Sequence, residues 1–134
     1  MQNTPQPFVS AVICTRNRPD KIGNAVESVL ANTYSNFDLI IVDQSTNNET
    51  EAILRRVGEH DRRVHYHRMN TSGLSRAYNF AIANTTGPIL AFTDDDCLVP
   101  SDWIEKIGTA FEEQPDGQLM YGQVLAAYLE NDGT

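Results

Sequence analysis

The sequence predicts an α/β fold, a mostly parallel sheet with helices on both faces, and two observations carry that prediction. Apolar runs of strand length alternate with amphipathic helical stripes four times within 134 residues. Strands that alternate with helices bury their apolar surfaces best as a parallel sheet joined by right-handed crossovers. The apolar runs also end in polar residues: Thr15-Arg16-Asn17 after the first, Asp43 after the second, Asp94-Asp95-Asp96 after the fourth. Ligands of such sheets sit outside the carboxyl ends of the strands, so one crevice would collect these residues.

The elements follow in order. Phe8 to Thr15 is β-branched and apolar, and Arg16-Asn17-Arg18-Pro19 stops it. Pro19 suits the first turn of a helix, and Ile22, Ala25, Val26, Val29 and Leu30 make one apolar stripe over about residues 19 to 32. Phe37 to Val42 is the second strand, ending in Asp43-Gln44-Ser45-Thr46, and Ile53, Leu54 and Val57 place a helix at about 48 to 58. Arg63 to Met69 alternates weakly as a short third strand. Thr71-Ser72-Gly73 offers cap and turn chemistry before the stripe Leu74, Ala77, Tyr78, Ala81, Ile82. The fourth strand comes next. Ser101 after Pro100 reads as the N-cap of a last helix carrying Trp103, Ile107, Ala110 and Phe111, and Asp102 complements its dipole. Gln118 to Leu129 is expected to form a further strand.

The fourth strand, Ile89-Leu90-Ala91-Phe92-Thr93, reads as buried on both faces and runs straight into three carboxylates. In extended chain Asp94 and Asp96 share a side at roughly 6.5 Å while Asp95 points away. Two carboxylates so close to apolar surface raise each other's pKa unless a cation neutralises them. A hard divalent ion that takes oxygen ligands and also grips phosphate, Mg²⁺ or Mn²⁺, meets that need. The competing reading is a solvated acidic loop.

Composition narrows the classes. The length suits a single domain over residues 1 to 134. A net charge of -8 argues against a nucleic-acid surface, which concentrates Lys and Arg where phosphates land. Two isolated cysteines, Cys14 and Cys97, form neither a disulfide framework nor a zinc motif, so a reducing cytoplasm is the expected location. No apolar run approaches the ~18 residues needed to cross a bilayer.

The stretches VSAVICTRNRP, LIIVDQST and NTSGLSRAYNFAIANTTGPILAFTDDD followed by CLVP resemble, in order and spacing, the nucleotide-sugar-binding part of family 2 glycosyltransferases. The resemblance implies a Rossmann-like GT-A fold. It also implies sugar transfer, expected to invert at C1, from a nucleoside diphosphate sugar to an acceptor. By the same resemblance Thr15 lies near the base and Asp43 recognises it, pointing to a UDP- or GDP-sugar. Asp94 and Asp95 contact the donor, and Asp94 and Asp96 hold Mn²⁺ or Mg²⁺ on its diphosphate. Where the family often carries a second Asp and a Gly, this chain has Gln44 and Ser45.

Arg16 and Arg76 are candidates to steady base or phosphate, Asn17, between the first strand and its helix, is a further candidate to bind the nucleotide sugar, and Gly73 could let backbone amides approach the ligand. His65 and His67 could mimic a metal pair but lack a third ligand. Trp103 reads as core, and nothing activates Cys97 as a nucleophile. Inverting transferases need a carboxylate to deprotonate the acceptor. Asp102, Glu105, Glu112, Glu113, Asp116, Glu130 and Asp132 do not suit that role, so the chain is expected to stop before the acceptor-binding half. In the full-length protein, peripheral membrane association is left open. The competing functions are a nucleotide-sugar-binding or scaffolding module without turnover, a nucleotidyltransferase and a receiver-like domain. The last two fit less well because the first loop has no Gly and no acidic pair.

Overall fold

A computed structural model describes residues 6–85, 87–114 and 116. Four strands, β1 (Val9–Thr15), β2 (Phe37–Asp43), β3 (Val64–Arg68) and β4 (Ile89–Asp94), alternate with four helices, α1 (Pro19–Leu30), α2 (Glu49–Gly58), α3 (Leu74–Ala83) and α4 (Trp103–Glu113). All strand pairs are parallel, in the order β3-β2-β1-β4. The chain therefore moves outward from β1 to β3 and then returns to the other side of β1. The expected strand at 118 to 129 lies outside the described residues.

Alternation along the strands builds two cores. Val9, Ala11 and Ile13 of β1, with Leu39 and Ile41 of β2, meet Ile22, Ala25, Val26 and Val29 of α1, Leu54 of α2 and Ile104 of α4. The opposite face puts Val12, Ile40 and Val42 against Ala77 and Ala81 of α3. Three helices thus cover one face and α3 the other. Ile13, Ile22 and Leu39 are fully buried, and side chains of that kind each contribute about 1.5–3 kcal/mol by leaving water. Trp103 packs against the first core, as its place in the helical stripe predicts.

Three local expectations change. β4 is not buried on both faces: Ile89 and Ala91 are buried, but Phe92 is 38% exposed and stacks edge-on against Tyr78. The reason is topological. β4 has β1 on one side, and the small residues of α3 lie over β1 and β2 rather than over β4. The strands buried at all but one position are instead the two central ones, β1 and β2, with Cys14 and Asp38 the partly buried residues.

Ser101 does not cap α4. The N-cap position is Asp102, without a side-chain cap bond, and the Ser101 carbonyl is taken by the backbone N–H and hydroxyl of Thr33. The first turn of α4 is satisfied from a distance: Asn32, just past α1, accepts the Ile104 N–H on Oδ1 at 2.9 Å. Its Nδ2 donates to the carbonyls of Ser28 and Pro100. Finally, α1 ends at Leu30 rather than near 32, which frees Asn32 for that task.

Candidate functional site

The carboxyl ends of β1, β2 and β4 meet in one band of hydrogen bonds. The register sets Thr15 beside Asp43 and Cys14 beside Asp94. Thr15 Oγ1 donates to Asp95 Oδ2 at 2.8 Å, tying β1 to the turn after β4. Asn17 takes a left-handed backbone conformation (φ 57°), which is several-fold enriched for Asn. Its N–H donates to Ser45 Oγ, and its Oδ1 accepts from the N–H and hydroxyl of Thr46, tying the β1 loop to the β2 loop. Gln44 continues the band, donating its backbone N–H to the Thr15 carbonyl and its Nε2 to Thr71 Oγ1 and the Gly73 carbonyl.

The acidic triplet divides its work. The strand ends at Asp94, and Asp95 and Asp96 lie in a turn that the Cys97 N–H closes on the Asp94 carbonyl at 3.3 Å. Asp95 is buried, bonded to Thr15 and to Arg18 Nη1 at 3.2 Å. Burial pushes its carboxyl above the usual carboxylate range, opposed by the Thr15 hydrogen bond and the Arg18 charge. Asp94 and Asp96 are exposed, and one ligand atom from each lies within 4.8 Å of the other and of Cys97 Sγ. The expected division, with Asp95 on one side and Asp94 and Asp96 on the other, is present, but a turn produces it rather than strand alternation.

Two carboxylates and a thiol on one turn make a donor set that fits a divalent cation, with the oxygens suiting Mg²⁺ or Mn²⁺. Neighbouring acids leave their mark on the two thiols. Burial first, then Asp94 and Asp95, pushes Cys14 up to about 11. Cys97 is also raised, by burial and then by Asp94 and Asp96.

Asp43, expected to face a base, has no accessible surface. Its Oδ1 accepts the Ser45 N–H at 2.9 Å in an Asx turn, and its Oδ2 accepts the Tyr66 hydroxyl at 2.6 Å. Burial and then that carboxylate raise the Tyr66 pKa. Asp43 therefore shapes the loop that leaves β2. Gly73 sits at the N-cap of α3 with φ 104°, a conformation open to glycine, and no atom would meet a Cβ there within 4 Å. Arg16 and Arg76 are exposed and form no ion pair among the described residues.

Two residues outside the sequence-based set prove central. Arg18 Nη1 bridges Asp95 at 3.2 Å and Asp96 at 3.1 Å. Arg68 donates to the carbonyls of Ser45 and Asn47 and to the side chains of Asn48 and Glu51, stapling the β2 loop. The sequence showed only several arginines near strand ends. The two histidines have other partners: His65 lies 3.3 Å from Asp38, and His67 stacks edge-on against Phe80. Of the acids weighed as a base, Asp102 pairs with Lys106, and Glu105, Glu112, Glu113 and Asp116 are exposed. Glu130 and Asp132 lie outside the described residues.

Comparison with known proteins gives this arrangement its context. Residues 10–130 match the profile of "Glycosyl transferase family 2". The glucosyl-dolichyl phosphate glucuronosyltransferase of Haloferax volcanii is 32% identical over 123 residues, covering 90% of this chain and 39% of that protein. The mannosyltransferase PcManGT from Pyrobaculum calidifontis, solved in complex with GDP-Man and Mn²⁺, superposes with a TM-score of 0.68 at 25% identity, covering 74% of this chain and 30% of that one. S. aureus TarS 1-349 in complex with UDP-GlcNAc shares the fold, with a TM-score of 0.71 at 15% identity over 86% of this chain and 37% of that one. The chain spans about a third of the length of the curated relatives it matches. With a parallel sheet whose strand ends gather Thr15 and the aspartate turn, and with nearly its whole length matching one profile, the chain belongs to glycosyl transferase family 2 and has the GT-A fold.

Proposed function

We propose that this chain binds a nucleoside diphosphate sugar, a UDP- or GDP-sugar, for transfer of the sugar to an acceptor with inversion at C1, on the cytoplasmic side of the cell. The observation that carries the reading is the junction of β1 and β4, where Thr15 and Arg18 brace the same aspartate turn that presents Asp94 and Asp96. The mannosyltransferase neighbour solved with GDP-Man and Mn²⁺ supports both the donor class and a divalent ion.

Asp94 and Asp96 would hold Mn²⁺ or Mg²⁺. When bound, such an ion stabilises the negative charge that develops on the diphosphate as the bond to C1 breaks. The chain's own residues do the positioning. Asp95, buried and bonded to Thr15, fixes the turn so that its two neighbours face outward. Asp43 and Arg68 fix the β2 loop at the sheet end where Asp43 is expected to read the base, with Gln44 bonded across to Gly73. Asn17, Arg16 and Arg76 border the same sheet end.

Calorimetric titration with UDP and GDP, with and without Mn²⁺, tests the binding. Metal-dependent binding that Asp96→Ala abolishes is the expected result. Binding that ignores the metal, or its absence for both nucleotides, would overturn the reading in favour of a scaffolding module.

A further inference from the structure

Arg18 is a cation that the fold already directs at the acidic turn. Its Nη1 makes both contacts, to Asp95 Oδ1 and Asp96 Oδ2, while the side chain stays half exposed. A guanidinium carries five N–H donors in a rigid plane. Nε and Nη2 of Arg18 take no partner among the described residues, so they are available to an anion.

The backbone that carries this side chain is well anchored. Asn17 is bonded to Ser45 and Thr46 on one side. On the other, the Arg18 carbonyl accepts the Lys21 and Ile22 N–H groups as α1 begins, with Pro19 in its first turn. Asp96 faces two ways: its Oδ2 meets Arg18, and its Oδ1 lies 3.8 Å from Cys97 Sγ within the group shared with Asp94. One carboxylate thus links the guanidinium to the cation-binding face of the turn.

We propose that Arg18 is a binding and positioning residue of the donor site: it pairs with Asp95 and Asp96 beside the cation-binding face and offers its remaining N–H donors to the diphosphate. This rests on the nucleotide-sugar reading above. Two consequences of opposite sign follow from the charge. A guanidinium beside a metal ligand repels a dication and competes for the carboxylate, so Arg18 weakens binding of the cation alone. A diphosphate reverses the balance, because a planar guanidinium pairs with phosphate oxygens through charge-assisted hydrogen bonds. Arg16 and Arg76 have no ion pair to the acidic turn among the described residues, so the effect on the cation alone is specific to Arg18.

The test uses the 134-residue chain, its Arg18→Gln and Arg18→Lys variants, and two titrations. Mn²⁺ alone is followed by paramagnetic resonance of the free ion, and UDP and GDP are titrated calorimetrically at saturating Mn²⁺. Arg18→Gln should bind Mn²⁺ roughly two- to fivefold more tightly. It should bind the nucleoside diphosphate about tenfold more weakly or worse. Arg18→Lys keeps the charge without the fork, so it should keep the wild-type Mn²⁺ affinity and recover part of the nucleotide affinity. Unchanged nucleotide affinity in Arg18→Gln, or both affinities falling together with the melting temperature, would overturn the proposal while leaving the donor reading intact. Absence of metal-dependent UDP and GDP binding in the wild type would overturn both.

Discussion

Thr15 and Asp95, 80 residues apart in sequence, are joined by a 2.8 Å hydrogen bond that locks the end of the central strand to the turn after β4. Around this bond the aspartate triplet is sorted into one buried brace and two outward carboxylates. Thr15→Val keeps the shape and removes the donor, leaving a buried carboxylate oxygen short of a partner. A loss of about 1–3 kcal/mol in urea unfolding is expected. Thr15→Ser, which restores the hydroxyl, should recover most of it. Equal stability of the valine variant and the wild type would show that the bond does not brace the turn.

Asn32 supplies a test of the long-range cap. Asn32→Ala removes the acceptor for the Ile104 N–H and the two Nδ2 bonds that hold α1 against the segment before α4. The expected cost is about 0.5–2 kcal/mol, measured by chemical denaturation. Asn32→Asp keeps the cap acceptor and loses the donors, so it should fall between the two. Ser101→Ala, at the position the sequence suggested, should change stability little, because only its carbonyl is engaged.

Asp61 and Arg63 govern a pH dependence at the start of β3. Arg63 Nε and Nη2 grip both oxygens of Asp61, at 2.9 and 2.7 Å, and the guanidinium lies over the Phe37 ring at 4.7 Å. The Arg63 hydrogen bonds hold the Asp61 carboxyl below its ordinary 3.8, against the opposing effect of burial. Between the folded and unfolded values the unfolded chain binds more protons, so stability falls as pH drops below 3.8 through the folded value. The pair is partly solvated, so the increment is about 0.5–1 kcal/mol. Asp61→Asn should lose that increment near neutral pH and show a flatter acid limb; an unchanged limb would contradict the assignment.

Much of the site was legible because each of its strands announces itself by an apolar run that stops at a polar residue. Thr15, Asp43 and Asp94 therefore fall at neighbouring strand ends whatever their side chains do. Loops gave no such guidance. Nothing periodic distinguishes Arg16 from Arg18, yet the left-handed turn at Asn17 accompanies a chain path that sets Arg18 on the carboxylates and leaves Arg16 unpaired. Asp43 was placed at the site by the family's motif order. What the sequence did not show is that Tyr66, from a neighbouring strand, and the Ser45 N–H each bond one of its oxygens.

By itself the sequence determined the alternation of strands and helices, the family and the position of the acidic turn, because these follow from residue periodicity and motif order along the chain. Only the tertiary structure decided which carboxylate is buried, which arginine meets it, which helix covers which face and what caps α4. Those outcomes depend on partners distant in sequence, and side-chain pairing across a sheet end is set by strand order and register rather than by neighbours in the chain.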